Sequence, residues 1–329
     1  MIPPQIQAKL KKMKYGLVGN SSAVQVCRWT RNALNGDRGC WKEKFYGISS
    51  AGCAQMSPAT MWCENQCLHC WRPIEMTLGS KLDAVDDPIE ILDGIVAERK
   101  RLMMGFGGND KVDKDKFKEA LTPSLFTMSL SGEPTIYPRL GEMFAEIRRR
   151  GAVSFLVTNG LNPEALEKLE TTGLPTQITV STNAPNEELF LKWHRSTKKE
   201  AWKRFNETLD VISGLEGMVR RVIRLTLVKP GVDEYGGLTN MTEENVGEYV
   251  SLIKKASPDF VHVKGFMSVG YARDRAGYDK MPWFKEIKEF ALKLENELKQ
   301  YGYKISATDE RCCVIMLAKN EMKLKIEKV

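Results

Sequence analysis

Long apolar runs are missing from this chain of 329 residues. No stretch approaches the roughly 20 residues needed to cross a bilayer. The lysine-bearing start "MIPPQIQAKLKKMKYG" lacks the apolar segment of a secretory signal. These absences lead to the expectation of a cytoplasmic protein without a membrane partner. A hydrophobic content of 42% and a charged content of 28% suit a soluble globular fold. In a reducing compartment thiols stay free, so clustered cysteines favour metal binding or catalysis over disulfides. Internal repeats and low-complexity linkers are also missing. The length then suits one large α/β domain or two ordinary ones.

Acidic side chains are scarce at the start. Residues 1–50 hold Asp37 and Glu43 against Lys9, Lys11, Lys12, Lys14, Arg28, Arg31, Arg38, Lys42 and Lys44. Nine against two equals the whole chain's net charge of +7, so the remainder is balanced. The surplus suits a polyanionic partner or, equally, a solvated basic tail.

Cysteine is scarce after residue 70, where only Cys312 and Cys313 occur. Six stand before that point. Cys63, Cys67 and Cys70 lie in "MWCENQCLHCWRP" with C-x3-C-x2-C spacing. Three thiolates at that spacing can hold three irons of a [4Fe–4S] cluster and leave the fourth open. Zinc would need a fourth ligand, and His69 stands too close to Cys70 to share a metal with it comfortably. A disulfide would leave one thiol over. Cys27, Cys40 and Cys53 are separated by twelve residues each. They read either as buried free thiols or as ligands of a second cluster with an open coordination site for substrate. Adjacent Cys312 and Cys313 read as packing residues, and His262, inside a strand pattern, as structural.

From about residue 54 strand-like and helix-like text alternates. Strands are expected at 124–130, 152–158, 177–182, 218–228 and 260–266, after a first one in "CAQMSPATMW", which Pro58 marks as suited to a sheet edge. Helices are expected at 87–104, 137–151, 162–173, within the polar stretch to about 214, at 242–257 and at 282–302. Asn162-Pro163 reads as a helix start, and Thr242 with Asn245 as an imperfect capping box. Six strands with five crossovers make a parallel sheet, either doubly wound or an open partial barrel, with function at the C-terminal strand ends. The cysteine loop, "SGEPT", "TNG", "STNAP", "VKPG" and "KGFMSVG" all fall there. The chain divides into a basic segment 1–53 with the upstream cysteines, a barrel 54–270, and a C-terminal helix and tail 271–329.

The cysteine loop, with an aromatic ring before its last thiol, resembles that of the radical S-adenosylmethionine (SAM) family. "SGEPT" resembles that family's GGEP motif, carried here by Gly132, Glu133 and Pro134, with Ser131 in place of the first glycine. Thr158 and Asn159 of "TNG" fall at the next strand end. Ser181 and Asn183 of "STNAP" resemble the ribose-contacting segment, with Asn183 where Asp often stands; an amide still donates and accepts. Each motif singly is ordinary turn chemistry. The resemblance implies a partial (β/α)6 barrel, with SAM chelated to the open iron and split on reduction into a hydrogen-abstracting 5′-deoxyadenosyl radical.

"CRWTRNAL", "CWKEKFYGI" and "CAQMSPATMWCENQCLHCWRP" narrow the resemblance to the archaeal tRNA-4-demethylwyosine synthase family, from about residue 15 to "KGFMSVGYARDR". That implies two [4Fe–4S] clusters, and condensation of pyruvate with N1-methylguanosine-37 of tRNA(Phe). The radical takes hydrogen from the N-methyl group, the carbon radical adds to C2 of pyruvate, the carboxyl carbon leaves and the ring closes. Pyruvate is held by a lysine Schiff base or by chelation to the second cluster. Lys42 matches the family's candidate lysine, with Lys44 beside it; cationic neighbours would lower such an amine's pKa. Either lysine could instead be solvated or bind phosphate. Eukaryotic relatives carry an added flavodoxin-like domain for which this chain has no room, so a separate electron donor, flavodoxin or ferredoxin, is implied. The tRNA is expected to meet the basic N-terminal segment and "LKWHRSTKKEAWKRF" (191–205), whose Trp193, His194 and Trp202 could stack on bases or lie in the core. Arg148, Arg149 and Arg150 are expected to face solvent. Two rivals are a radical SAM enzyme with an auxiliary cluster acting on a peptide or small molecule, and a non-catalytic metal-stabilised RNA-binding protein.

Overall fold

The alternating pattern becomes one mixed sheet of ten strands in a computed structural model, which describes residues 1–231, 237–319 and 322–327. The strands are β1 (Tyr15–Val18), β2 (Ser22–Gln25), β3 (Cys53–Ser57), β4 (Leu125–Met128), β5 (Val153–Thr158), β6 (Gln177–Ser181), β7 (Arg220–Leu227), β8 (Phe260–Gly265), β9 (Tyr303–Asp309) and β10 (Val314–Lys319). Their spatial order is β1-β2-β3-β4-β5-β6-β7-β8-β10-β9. From β3 to β8 every neighbour pair is parallel. These six curve round a shared interior, since a single cavity is lined from all of them. β4 and β6 are buried along their whole length, as strands covered on both faces must be.

Crossover helices cover the outside. Pro88–Gly107 starts on Asp87, whose carboxylate accepts from the Ile89 and Glu90 amides. The helix Glu243–Ala256 carries a complete reciprocal cap: Thr242 accepts from Asn245 N, and the Asn245 amide oxygen accepts from Thr242 N at 3.1 Å. The expected imperfection is therefore absent, because an asparagine side chain spans the same gap. Asn162 precedes the helix Pro163–Thr172 without capping it; its amide is used elsewhere.

Two expectations are corrected. Pro58 does not mark an edge. β3 ends at Ser57 and is flanked on both sides, antiparallel by β2 and parallel by β4. Proline just past a strand removes no ladder donor. The C-terminal "tail" contains β9 and β10, which extend the sheet antiparallel from β8. The N-terminal segment likewise folds its β1–β2 hairpin, turning at Gly19 and Asn20, onto β3.

Candidate active site

β3 runs into the cysteine loop at the C-terminal rim of the parallel strands. Main-chain bonds hold that loop: Gln66 N and Leu68 N donate to the His194 and Trp193 carbonyls at the end of the helix Glu187–His194, and Cys63 N donates to Gly79 O. Arg275 donates to the Cys70 and Arg72 carbonyls. Cys63, Cys67 and Cys70 line a rim cavity of about 480 Å³. Burial pushes all three thiols above the ordinary range, and neighbouring Cys67 adds to the effect at Cys63. Among the described residues no three His, Cys, Asp or Glu groups converge on a point that would hold a single ion. Thiols that each take a different iron of one cube stand further apart than that.

Gly132 carries a φ of +70°, and a Cβ there would lie 1.9 Å from the Ala59 carbonyl oxygen. Only glycine fits. Ser131 is not among the positive-φ residues, so its departure from the motif's glycine carries no backbone strain. Its buried hydroxyl has no partner. Glu133 accepts from Thr135 N and Oγ1, from Thr158 Oγ1 at 2.7 Å and from Asn159 N at 2.7 Å. Burial first, then the Glu64 charge, holds the Glu133 carboxyl up to about 7 against those hydrogen bonds. Glu64, which the motif reading passed over, is buried and accepts from Asn159 Nδ2 at 3.2 Å and Asn162 Nδ2 at 2.6 Å. Pro134 opens a short 3₁₀ turn behind this network. Ser181 Oγ accepts from Arg224 at 2.7 Å, and Asn183 keeps a buried Oδ1 without a partner. Ser131, Glu133, Thr158, Asn159, Ser181 and Asn183 all line the rim cavity with the three thiols. Unsatisfied acceptors and a side-chain-free glycine beside them fit a polar ligand such as SAM, and three enclosed thiols fit the corners of a cluster.

The upstream cysteines come together below the rim. Cys27 ends an extended segment and caps the helix Arg28–Leu34, Cys40 precedes the helix Trp41–Tyr46, and Cys53 opens β3. All three line a second cavity of about 190 Å³ inside the barrel. Lys42 lines it too, with Nζ 3.8 Å from Cys53 Sγ. Lys44 does not: its side chain is exposed and its carbonyl receives Lys325. The expected lowering of the Lys42 amine is corrected, although Arg224 and Lys264 line the same chamber. Burial pulls its amine down, but Cys53, Cys40 and Cys27 push it up further, and the balance lies above the ordinary value. Gln55, Thr127, Gln177, Arg224 and Lys264, all missed in the sequence, line the same chamber from the inward strand faces. Only the period-two alternation of their strands marked them.

The histidines are hydrogen-bonded within the fold, and all three line the chambers, His262 the deeper one and His69 and His194 the rim. His262 bonds Tyr46 Oη at 2.5 Å, and burial with Arg224, Arg220 and Lys264 pulls it down to about 3. His69 accepts from Trp193 Nε1. Cys312 is buried beside Arg38, and Cys313 sits in the β9–β10 turn; neither lines either chamber. The stacking role for segment 191–205 is overturned. Trp193 and His194 are buried, and Trp202 packs on Phe190 and Phe205. Its cations are largely used: Lys192 on Glu188, Lys203 on Glu200, Arg204 on Glu164 and Arg195 on Gln66 O. Arg148 and Arg149 face solvent as expected, while Arg150 is half-buried, and both Arg149 and Arg150 grip Glu146.

A parallel barrel with a three-cysteine loop after its first strand and Gly-Glu-Pro after its second defines a radical SAM protein. The radical SAM superfamily profile matches residues 57–235, and a second profile, wyosine base formation, matches 255–319. The S-adenosyl-L-methionine-dependent tRNA 4-demethylwyosine synthases of Pyrococcus horikoshii and Pyrococcus abyssi are each 38% identical over 323 residues, covering 98% of this chain and 90% of theirs. The chain belongs to that family. A solved structure described as TYW1 with a lysine-pyruvate adduct bound superposes with a TM-score of 0.83 at 31% identity, over 99% of this chain and 98% of the other.

Proposed function

We infer that this chain makes 4-demethylwyosine in tRNA, condensing pyruvate with N1-methylguanosine-37 of tRNA(Phe) by radical SAM chemistry. The observation that carries this reading is the pair of thiol triads in two adjoining chambers of one barrel, with a lysine amine among the deeper set. In this reading Cys63, Cys67 and Cys70 hold the SAM-binding cluster, and Cys27, Cys40 and Cys53 a second one. Bound at the rim, the first cluster and SAM supply the hydrogen-abstracting radical. Gly132, Glu133, Pro134, Thr158, Asn159, Ser181 and Asn183 seat SAM. The buried Ser131 Oγ and Asn183 Oδ1 are available to its polar groups.

The deeper chamber is the keto-acid site. Lys42 meets the ketone as a Schiff-base amine, held by Cys53 on one side and facing the Phe155 ring at 5.8 Å on the other. Loss of a proton from its ammonium is required before attack. Lys44, on the surface, has no part. An external one-electron donor, flavodoxin or ferredoxin, serves the rim cluster. Among the described residues no helix is long and apolar enough to cross a membrane.

The test is single-turnover conversion of tRNA(Phe) bearing N1-methylguanosine-37, with pyruvate, SAM and a reductant, followed by nucleoside mass analysis. Wild type forms the tricyclic base. Lys42→Ala abolishes it while still cleaving SAM, and Lys44→Ala retains it. Conversion by Lys42→Ala at the wild-type rate contradicts the lysine's role, and no conversion by wild type contradicts the whole reading.

A further inference from the structure

Arg224 is the arginine of β7 with the fewest partners: among the described residues it has neither a carboxylate, as Arg221 has, nor main-chain carbonyls, as Arg220 has. Arg221 is paired with Asp259 at 2.7 Å and Glu216 at 3.2 Å. Arg220 donates to the Lys323 and Leu324 carbonyls and lies over the Tyr46 and Phe260 rings. Arg224 has a single neutral partner, Ser181 Oγ, and its buried Nε donates to nothing. Among the described residues no carboxylate pairs with it. It lines both chambers. The deeper one is lined by three cationic side chains, Lys42, Arg224 and Lys264, and by no Asp or Glu. An enclosed guanidinium is costly unless an anion meets it. All three thiols act on the Lys42 amine, Cys53 from 3.8 Å, and none of them on Arg224.

We propose that Arg224 is the carboxylate-binding residue of the keto-acid site, receiving the carboxylate of the small 2-oxo acid whose ketone faces Lys42. The proposal rests on the reading of the deeper chamber as the keto-acid site. A 2-oxo acid carries its ketone and carboxylate on adjacent carbons, so one molecule needs an amine and an anion receptor on the walls of one small cavity. The cavity of about 190 Å³ is shared with the thiol triad and whatever it holds, so the space beside that triad suits a small molecule and not a large one. The guanidinium fork suits two carboxylate oxygens at once, which a lysine cannot match. Arg224 also lines the rim cavity and Lys42 does not, so the carboxylate receptor stands between the ketone-binding amine and the rim.

The test uses reconstituted holoenzyme and two probes, pyruvate and its neutral amide pyruvamide. Binding is read by equilibrium dialysis, and adduct formation on Lys42 by borohydride trapping and mass spectrometry. Wild type prefers pyruvate over pyruvamide by tenfold or more, in both readouts. Arg224→Gln brings that ratio near one, and Arg224→Lys restores part of it. Arg224→Met, an apolar mimic of the stem, replaces the Gln variant if that one does not fold. A variant ratio equal to wild type overturns the proposal. So does a tenfold loss of SAM affinity with the pyruvate ratio intact, which would place the SAM carboxylate on Arg224 instead. Absence of any borohydride adduct, with an Arg224-dependent ratio still seen by dialysis, sinks the Lys42 Schiff base and leaves the Arg224 assignment standing.

Discussion

At Gly132 one hydrogen atom decides whether the SAM loop closes. A methyl group would collide with the Ala59 carbonyl, and with the Trp62 carbonyl at 2.7 Å. Gly132→Ala is therefore expected to open the contact that Glu133 N makes with Trp62 O, and to weaken SAM binding at least tenfold by equilibrium dialysis. Unchanged affinity would show that the loop does not seat SAM. Buried histidines give a second residue-scale prediction. Burial pulls His194 down to about 4, and burial with Arg224, Arg220 and Lys264 pulls His262 to about 3. Above about pH 6.5 both are neutral in the folded and unfolded chain, with no effect on stability. As pH falls below that, the unfolded chain takes up protons the fold refuses, and stability drops by about 1.4 kcal/mol per pH unit for each. Denaturant midpoints between pH 6.5 and 4.5 should fall more gently in His262→Gln than in wild type. Parallel curves would contradict this account. At this scale the cysteine motif was legible because its ligands are near in sequence. Glu64 and Arg224 were not, since their partners Asn162 and Ser181 stand 98 and 43 residues away.

Among the elements, several of the helices that cross the sheet, Pro88–Gly107 and Glu243–Ala256 among them, start on side-chain caps, and these caps are testable one at a time. Thr242→Ala removes one half of the reciprocal bond with Asn245 and should cost about 1 kcal/mol. Amide exchange across Glu243–Ala256 should speed up while the exchange of β4 and β6 stays as it was. The six parallel strands could be read from apolar runs bounded by Gly and Pro. The outer hairpins could not. β1 and β2 are four residues each, too short for period-two alternation to register, and their turn sits inside a segment dominated by its charge. β9 and β10 flank the adjacent Cys312 and Cys313; β9 is largely half-exposed and β10 is a short apolar run, which periodicity alone does not assign to a strand. Sequence 191–205 misled for a different reason. Its aromatics sit on two successive helices, Glu187–His194 and Ala201–Gly214, and each packs into an apolar cluster instead of on a ligand.

Across the whole molecule, the two chain ends meet around the deeper chamber. Arg38, between Cys27 and Cys40, binds both carboxylate oxygens of Asp309 in β9 at 2.5 Å. Ile326 N donates to the Tyr46 carbonyl, so the last described residues lie against the helix that carries Lys42. Asp309 is 1% exposed, and Arg38 about a third. Asp309→Asn should cost about 1.5–3 kcal/mol, the usual range for a hydrogen bond to a charged group. The loss should appear as a lower urea midpoint and as faster proteolysis within residues 27–53, with the rim loop protected as before. Equal protection in both proteins would show that the C-terminal hairpin does not brace the upstream cysteines. Two of the nine cations in the first fifty residues belong to this same assembly, since Arg38 is spent on Asp309 and Lys42 faces the cavity. Those two charges therefore do not add to a surface for tRNA.

Iron content reads the central claim most directly. Anaerobic reconstitution of wild type should give about eight irons per chain, and a Cys27/Cys40/Cys53→Ala variant about four, with SAM cleavage retained and base formation lost. An unchanged iron count in the triple variant, or four irons in wild type, would contradict a second cluster at the deeper triad.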